Sequence, residues 1–543
     1  MKLLSKIGQA CSVVVVIVAA SQVASAHFPW IALDTAGKPI LFFGEDLSDR
    51  TYHFPESLAG FEVRQATGDQ QQVIDWKAVD SDELVGLQAP KKVPAGAVLY
   101  GQQTYGIYHG AKLDYFAMLF TEGKSAEWQT PPETLDLRAQ LSSERQGIAV
   151  KVFWKDKPLA DAEVSLFSIA GEKRDVQKTD AQGVAKFEPT RLSVGWNALL
   201  VGFTDTDSQG TLKDKPYKSV ANYLTVSFPW KGTAEVVAAD YPDLPTELTS
   251  FGGTIVDGQL FLYGGHIGDA HSYSIPEQSN ALWMLDLDQR SPKAEWKALP
   301  SGPRLQGLAL VPDEHSVVRL GGFTALNAEG EEHDLHSQDG VSRFDLQAQK
   351  WEPLTALPEP RSSHAATVIG SQVYVVGGWN MSGEEPTVWH QTAWTADLGQ
   401  SPLQWQPIAA PPFQRRALSL AAHHGKLYAV GGMAKEGGPS ARMDVYDPAT
   451  DSWTQGPSLQ GPPMAGFGCW AQSCGGQLLV STVSGTVQRL SDDGKSWQVI
   501  GTYQPGRFFH CMLPLTSHSL LMIGGANMSV GRFTELELVT IED

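Results

Sequence analysis

The chain has 543 residues, with 60 acidic and 41 basic side chains, so its formal net charge at pH 7 is −19. Such an acidic chain lacks the basic surface that nucleic-acid binding requires, and it disfavours anionic lipid. The length predicts two or more domains. Gly, Pro, Trp and Val are plentiful, and turn signals at roughly 8–12-residue spacing predict an all-β fold.

The first 26 residues have the three-part pattern of a secretory signal. Lys2 and Lys6 form the basic region, an apolar run follows, and Ala24-Ser25-Ala26 is a small-residue cleavage site. We therefore expect an exported protein, periplasmic or extracellular, whose mature chain begins at His27. The apolar run is shorter than the roughly 20 residues of a membrane span, so we do not expect the protein to span a membrane.

Residues 27–140 are rich in strand patterns and are predicted to form an N-terminal β domain. Residues 141–230 are predicted to form a β-sandwich of the immunoglobulin or transthyretin type. There AEVSLFS alternates as a strand, TDAQG is a turn, and VAKFE is the next strand. Both predicted domains are thus sandwich-like units.

The N-terminal half carries three further motifs, the start His27-Phe28, the FGE at 43–45 and the YGIYHG at 105–110. With KPLADAEV and TDAQGVAKF, these motifs resemble a periplasmic nickel-uptake (NikM-like) domain family that carries a carboxypeptidase-regulatory-like sandwich. The resemblance implies an accessory role in nickel or copper uptake.

His27 is the sharpest candidate metal ligand in this half. After cleavage at Ala26, its α-amine and imidazole would together chelate a copper or nickel ion. His109 or His53 would supply a second imidazole, and Glu45 and Asp46 are candidate oxygen ligands. An extra residue before His27 is then predicted to abolish binding.

A repeat defines the second half, because an apolar strand that ends in Gly-Gly recurs. The second glycines are Gly265, Gly322, Gly378, Gly432 and Gly525, and QLLVSTVSG is a degenerate copy. A tryptophan closes each unit: Trp296, Trp351, Trp405, Trp453 and Trp497. This pattern resembles the Kelch repeat and predicts a six-bladed Kelch-type β-propeller over residues 231–543. The last unit lacks a fourth strand, which TAEVVAADYP at 233–242 is predicted to supply.

Arginines recur where the first strand of a blade begins, at Arg304, Arg361, Arg416 and Arg507. We predict that they surround the central mouth of the propeller, where guanidinium groups favour a carboxylate or another anion. The strings RSSH and RFFH add His364 and His510 to this predicted ligand-binding set.

The loops after the Gly-Gly pairs are predicted to lie on the same face as this mouth. They carry His266, His271, His333 and His336 beside acidic residues, which is a weaker candidate metal set. They also carry Trp379 and Trp389, and aromatic side chains suit sugars or peptides.

These patterns favour an exported binding or interaction protein whose propeller face takes a protein or carbohydrate ligand. The Kelch resemblance also allows a carbohydrate-active enzyme of the sialic-acid mutarotase type, and the N-terminal resemblance allows a metal-uptake component. The disulfide pairing among Cys469, Cys474 and Cys511 stays open at this point.

Overall fold

A computed structural model describes residues 27–68, 70–122, 135–144, 147–288 and 293–542. The predicted signal segment, 1–26, lies outside the described residues. Regular structure is almost entirely β, and the 3-10 helices in these ranges are Glu56–Leu58, Pro189–Arg191, Ile275–Glu277 and Pro463–Gly466. Among the described helices, none has the length and apolar character needed to cross a membrane.

Eighteen strands precede the propeller. They are β1 (Phe28–Leu33), β2 (Pro39–Gly44), β3 (Val63–Thr67), β4 (Gln70–Val73), β5 (Lys77–Asp80), β6 (Val85–Gln88), β7 (Val98–Tyr108), β8 (Ala111–Phe120), β9 (Leu137–Glu144), β10 (Gly147–Trp154), β11 (Lys157–Pro158), β12 (Glu163–Ser168), β13 (Lys173–Lys178), β14 (Val184–Phe187), β15 (Gly195–Asp205), β16 (Gly210–Leu212), β17 (Lys215–Tyr217) and β18 (Ser219–Trp230).

These strands form three stacked sheets and a small β16–β17 hairpin. The outer sheets are β1-β2-β6-β5 on one side and β9, β10, β11 and β14 on the other. The middle sheet has eight strands in the order β13-β12-β15-β18-β8-β7-β3-β4. Side chains alternate along β8, so Tyr115 and Leu119 face one core while Phe116 and Phe120 face the other. The chain therefore forms two sandwiches that share a sheet.

The parallel pairing of β8 with β18 joins the two predicted N-terminal units. Ser219 lies opposite Ala111, and the register continues to Ser227 opposite Leu119. The boundary predicted between residues 140 and 141 falls inside β9. Where the domains divide in solution stays a prediction, but no sheet boundary separates these two units within the described residues.

The propeller contains the remaining strands. They are β19 (Ala234–Ala238), β20 (Gly252–Val256), β21 (Gln259–Tyr263), β22 (Leu282–Asp286), β23 (Lys297–Leu299), β24 (Ala309–Asp313), β25 (Ser316–Leu320), β26 (Phe323–Ala325), β27 (Leu335–Ser337), β28 (Val341–Asp345), β29 (Lys350–Pro353), β30 (Ala365–Ile369), β31 (Gln372–Val376), β32 (Trp379–Ser382), β33 (Glu385–Trp389), β34 (Ala393–Asp397), β35 (Gln406–Ile408), β36 (Arg415–Arg416), β37 (Ser419–His423), β38 (Lys426–Val430), β39 (Met433–Ala434), β40 (Gly438–Pro439), β41 (Met443–Asp447), β42 (Ser452–Gln455), β43 (Trp470–Cys474), β44 (Gln477–Ser481), β45 (Thr486–Leu490), β46 (Trp497–Thr502), β47 (Cys511–Thr516), β48 (Ser519–Ile523), β49 (Ala526–Asn527), β50 (Gly531–Arg532) and β51 (Glu537–Ile541).

Six four-stranded sheets form the blades. Blades 1 to 5 are β20-β21-β22-β23, β24-β25-β28-β29, β30-β31-β34-β35, β37-β38-β41-β42 and β43-β44-β45-β46. Blade 6 is β47-β48-β51-β19, so its outer strand comes from the segment 233–242, as the sequence predicts. The predicted all-β class with a C-terminal β-propeller is confirmed.

The three cysteines of the described residues are free thiols and do not form a disulfide. Each is buried within the propeller, and burial raises the pKa of Cys469 to about 12. The pairing that the sequence leaves open therefore does not form, and these residues pack as small apolar side chains.

Candidate functional site

The propeller mouth is built by a ring of backbone hydrogen bonds at the starts of the first strands. Six equivalent residues, one per blade, take a positive φ there: Ser250, Gly307, Ser363, Ala417, Gly468 and Phe509. In four neighbouring pairs the N–H of one residue donates to the carbonyl oxygen of the equivalent residue in the preceding blade, at 2.7–2.9 Å. Four of the six are not glycine, so the surrounding structure holds an unfavoured conformation in place. We call these six residues the mouth ring.

A cavity of about 260 Å³ opens at the mouth ring. Its wall includes Tyr273, Gln306, Trp379, Arg416 and Trp470. A further cavity of about 380 Å³ continues along the central channel. The mouth cavity is small compared with drug-sized ligand sites of roughly 300–1,000 Å³, so it fits a small molecule or one end of a larger one.

Arg416 is the cationic side chain of the mouth cavity. Its guanidinium carbon lies 4.0 Å from the centre of the Trp379 ring and 5.8 Å from that of Trp389. Burial lowers the pKa of Arg416 from its usual range, but an arginine remains cationic at neutral pH. In the described part of the chain, no carboxylate lines this cavity. The mouth is therefore electropositive within an acidic protein.

Several buried donors of the mouth cavity have no hydrogen-bond partner among the described residues. They are Gln306 Nε2, Trp379 Nε1, Arg416 Nε and Trp470 Nε1. Each of these groups donates only. A buried donor without an acceptor costs about 1–3 kcal/mol. Rotation of these side chains would be needed to turn the donors towards oxygen acceptors of a molecule in the cavity.

Two of the predicted site histidines, His364 and His510, also line the mouth cavity. Burial, and then the charge of Arg361, lowers the pKa of His364 to about 3. Neither ring nitrogen of His364 has a partner among the described residues. Burial also lowers the pKa of His510 to about 3, and its Nε2 lies 2.6 Å from Ser481 Oγ. Both imidazoles are neutral at physiological pH.

The prediction that Arg361 and Arg507 bind a ligand is corrected by their burial. Arg361 Nη1 donates to the Gly377 carbonyl at 3.2 Å, and its Nη2 pairs with Glu359 at 2.8 Å. Arg507 Nη1 donates likewise to the Gly524 carbonyl. Each carbonyl belongs to the first glycine of a Gly-Gly pair. These guanidiniums point into their own blades and fix the turn that follows the second strand.

Arg304 is also corrected, because it is exposed and does not line the mouth cavity. Its Nη1 donates to the Gln278 carbonyl. The sequence missed Arg415, which occupies the position of Arg361 in the next blade and donates to the Gly431 carbonyl at 2.8 Å. Of the four predicted mouth arginines, only Arg416 lies in the cavity.

A small sheet made from two loops forms one wall of the mouth. Strands β26 and β27 come from blade 2, and β32 and β33 come from blade 3, in the order β26-β27-β32-β33. We call this sheet the canopy. The buried Ser337 links its halves, because its Oγ accepts the Met381 N–H at 3.0 Å. The same Oγ lies 2.9 Å from Ser362 Oγ, next to the mouth ring.

The loop histidines do not converge on one point, so the weaker metal prediction is corrected. His266 Nε2 lies 3.0 Å from the Asp269 carbonyl oxygen, and His271 is exposed. His333 contacts Tyr273, whereas His336 pairs with Asp334 in its own loop. Among the described residues, these histidines form no cluster of three metal ligands.

His27 does lie beside acidic side chains in the N-terminal part. Its Nε2 is 3.5 Å from Asp49 Oδ2 and 3.9 Å from Glu45 Oε1. Glu45 was predicted as a ligand, but Asp49 was not. The predicted partners His53 and His109 are exposed and lie outside this cluster.

Asp46, also predicted as an oxygen ligand, lies outside the same cluster. Its carboxylate instead accepts the Ser48 hydroxyl at 2.6 Å. The prediction of Asp46 is therefore corrected, because the loop after β2 turns Asp49 rather than Asp46 towards His27.

Comparison with known proteins places Kelch repeats in the C-terminal part. The profile of the KLHDC2/KLHL20/DRC7 Kelch-repeats domain matches residues 253–485. Kelch-like protein 35 of Mus musculus is 25% identical over 269 residues, which are 49% of this chain and 39% of the relative. The N-(sulfonatooxy)prop-2-enimidothioate sulfolyase of Thlaspi arvense is 24% identical over 261 residues, 44% of this chain and 70% of the relative.

A solved structure titled "Structure of YjhT" aligns with a TM-score of 0.46 and 17% identity, and it covers 56% of this chain and 97% of that chain. The matches to the first Kelch relatives span 39% and 34% of their lengths. The C-terminal part is thus a Kelch-repeat domain. The resemblance of the N-terminal half to a nickel-uptake family stays a prediction.

Proposed function

We propose that the protein is an exported binding protein whose mouth cavity holds a small, carboxylate-bearing sugar. The proposal rests on one observation: four side chains that each have a buried donor without a partner line a cavity that has one arginine and no lining carboxylate in the described part of the chain. Kelch domains commonly have binding roles, in agreement with this proposal.

Each part of the proposed ligand has a counterpart in the cavity. The face of the Arg416 guanidinium stacks on Trp379, which leaves its N–H edge free for a carboxylate. The indole N–H groups of Trp379 and Trp470 and the Gln306 amide would donate to sugar oxygens. The rings of Tyr273 and Phe509 offer apolar surface to the C–H face of a sugar. A neutral sugar would leave the guanidinium without an anion.

A second candidate is catalysis on such a sugar, of the sialic-acid mutarotase type. It is favoured by His364, whose two unpartnered ring nitrogens could accept and donate a proton at the cavity. Its pKa of about 3 makes the imidazole a weak base, so binding is the better supported function.

The test compares one acidic and one neutral sugar by isothermal titration calorimetry. We expect sialic acid to bind and galactose not to bind. Arg416→Gln should weaken sialic acid binding by roughly 10- to 100-fold, because a charge-assisted hydrogen bond contributes about 1.5–3 kcal/mol. Arg304→Gln is the matched control and should bind as the unaltered protein does.

Equal affinity of the Arg416→Gln and Arg304→Gln proteins would contradict the proposal, as would a failure of sialic, glucuronic and galacturonic acids to bind. The same samples test the catalytic candidate. Faster exchange between the anomers of sialic acid, followed by NMR, would favour an enzyme, and an unchanged exchange rate would leave binding alone.

A further inference from the structure

The start of the first strand brings three potential metal ligands together. His27 directly precedes β1, and Phe28 lies opposite Gly44 at the end of β2. This register places Glu45 across from His27. The chain then folds back sharply, because a Cβ on Gly44 would lie 2.0 Å from the Asp49 carbonyl oxygen. The glycine thus allows Asp49 to approach the same point.

The distances suit a single ion. His27 Nε2 lies 3.5 Å from Asp49 Oδ2 and 3.9 Å from Glu45 Oε1. All three ligand atoms lie within 4.8 Å of one another. Ligand atoms held about 2.0–2.2 Å from one ion are roughly 3.0–3.6 Å apart, so small side-chain movements would complete the site.

Contacts around the cluster orient its ligands. The His27 ring stacks on Tyr52, with ring centres 3.6 Å apart. Asp49 Oδ2 accepts the Glu45 N–H at 3.0 Å. Leu47, which lies between the two acidic residues in sequence, is buried and anchors the loop. These contacts limit the rotation of the His27 ring and of the Asp49 carboxylate.

The charges of the cluster also favour a cation. Glu45 and Asp49 are two carboxylates at close range, and in the described ranges neither forms an ion pair with Lys or Arg. Their side chains are 49% and 30% exposed, so an ion can enter from solvent. A divalent cation would offset their mutual repulsion, while the imidazole adds a nitrogen ligand.

We propose that His27 Nε2, Glu45 and Asp49 bind one divalent first-row cation, such as Zn²⁺ or Ni²⁺, with solvent at the remaining positions. Which nitrogen of the His27 ring binds the ion determines whether the α-amine can also be a ligand. An α-amine chelates an ion together with Nδ1 of its own residue, but Nε2 lies on the far side of the ring. The site therefore does not depend on a free amine at His27, in contrast to the chelate that the sequence suggests.

The experiment titrates the metal-free protein with Zn²⁺ by calorimetry. The protein that begins at His27 should bind one ion per chain. A version with one extra glycine before His27 should bind with an affinity within about threefold of that value. Asp49→Asn should weaken binding at least tenfold, and Glu45→Gln should do the same. Glu56→Gln, an exposed acidic residue outside the cluster, is the matched control.

Folding of each variant is checked by its circular dichroism spectrum, and Glu45→Gln serves if Asp49→Asn does not fold. Absence of one-to-one binding would overturn the proposal, and so would unchanged affinity in both cluster variants. Loss of binding in the extended version alone would assign the ion to the amine chelate and would also overturn it. The sugar test of the mouth is independent of each of these outcomes.

Discussion

Arg415 and Arg416 are neighbours in the chain, but they face opposite environments because side chains alternate along an extended backbone. Arg415 points into blade 4, where its Nη2 pairs with the fully buried Asp444 at 2.6 Å. Arg416 points to the channel and stacks on Trp379. Two adjacent positions thus hold one arginine that stabilises a blade and one arginine that lines the mouth cavity.

The neutral histidines of the mouth make stability depend on pH. His364 and His510 have a pKa of about 3 in the folded chain, against an ordinary value of 6.5. Between these values the unfolded chain binds more protons than the folded chain. These histidines therefore leave the free energy of unfolding unchanged above about pH 6.5, and they lower it progressively as the pH falls towards 3.

We predict that His364→Gln flattens this dependence. Between pH 6 and 4, the free energy of unfolding of the propeller should fall less steeply than in the unaltered protein, by about 1.4 kcal/mol per pH unit. Urea denaturation at a series of pH values measures the slope. The exposed His53 is the control, and His53→Gln should leave the slope unchanged. An equal slope in the His364→Gln protein would contradict the assignment of a neutral, buried imidazole.

At the scale of elements, the canopy forms one wall of the mouth, and few hydrogen bonds join its two halves. Its two halves meet at the pair His336 and Ser382, and Ser337 adds the bond to the Met381 N–H. Trp379, whose ring stacks against the Arg416 guanidinium, is the first residue of β32 in the same sheet. Movement of the canopy would thus displace the guanidinium.

We predict that Ser337→Ala loosens the canopy without unfolding the blades. Ser337 Oγ accepts the Met381 N–H and also contacts Ser362 Oγ. Loss of the first bond alone costs about 1 kcal/mol, so amide exchange in residues 379–389 should become at least roughly fivefold faster. Hydrogen exchange followed by mass spectrometry measures it. Ser316→Ala, at the first residue of β25, removes a hydroxyl far from the canopy and should leave this exchange unchanged. The canopy argument fails if the two variants behave alike.

The repeats made most propeller strands predictable, because Gly-Gly and the closing tryptophan mark the same two points in each blade. The canopy was not predictable, since its strands come from loops that differ between blades. Nor did the sequence reveal the β8–β18 pairing, which joins strands far apart in the chain. In the site, the sequence pointed to Arg416, His364 and His510, which line the mouth cavity, but Gln306 and Trp470 have no repeated motif that distinguishes them.

At the scale of the whole molecule, one strand pair closes the propeller. Among the described strands, β19 pairs only with β51, and Val236 lies directly opposite Val539. The Cα atoms of directly opposite residues in an antiparallel pair are about 4.5–5.5 Å apart, which is within the range of a disulfide. A covalent link at this position would therefore hold the ring closed.

We predict that Val236→Cys combined with Val539→Cys stabilises the propeller when oxidised. A disulfide typically contributes about 3 kcal/mol, which should raise the melting temperature of the propeller by roughly 6–12 °C. Differential scanning calorimetry measures it, and the same protein in reducing agent is the control. The three native thiols are buried and should not interfere. No difference between the two forms would mean that opening of this pair does not begin unfolding.

The same pairing gives the synthesis of the protein a definite order. Strand β19 leaves the ribosome directly after the sandwiches, whereas β51 follows every other described strand. The sandwiches can fold while the chain is still growing, but the ring must wait for its last strand. Until then blade 6 has an open edge that another chain can pair with. A chain that stalls shortly before residue 537 would thus be more prone to aggregate than one that stops after the sandwiches.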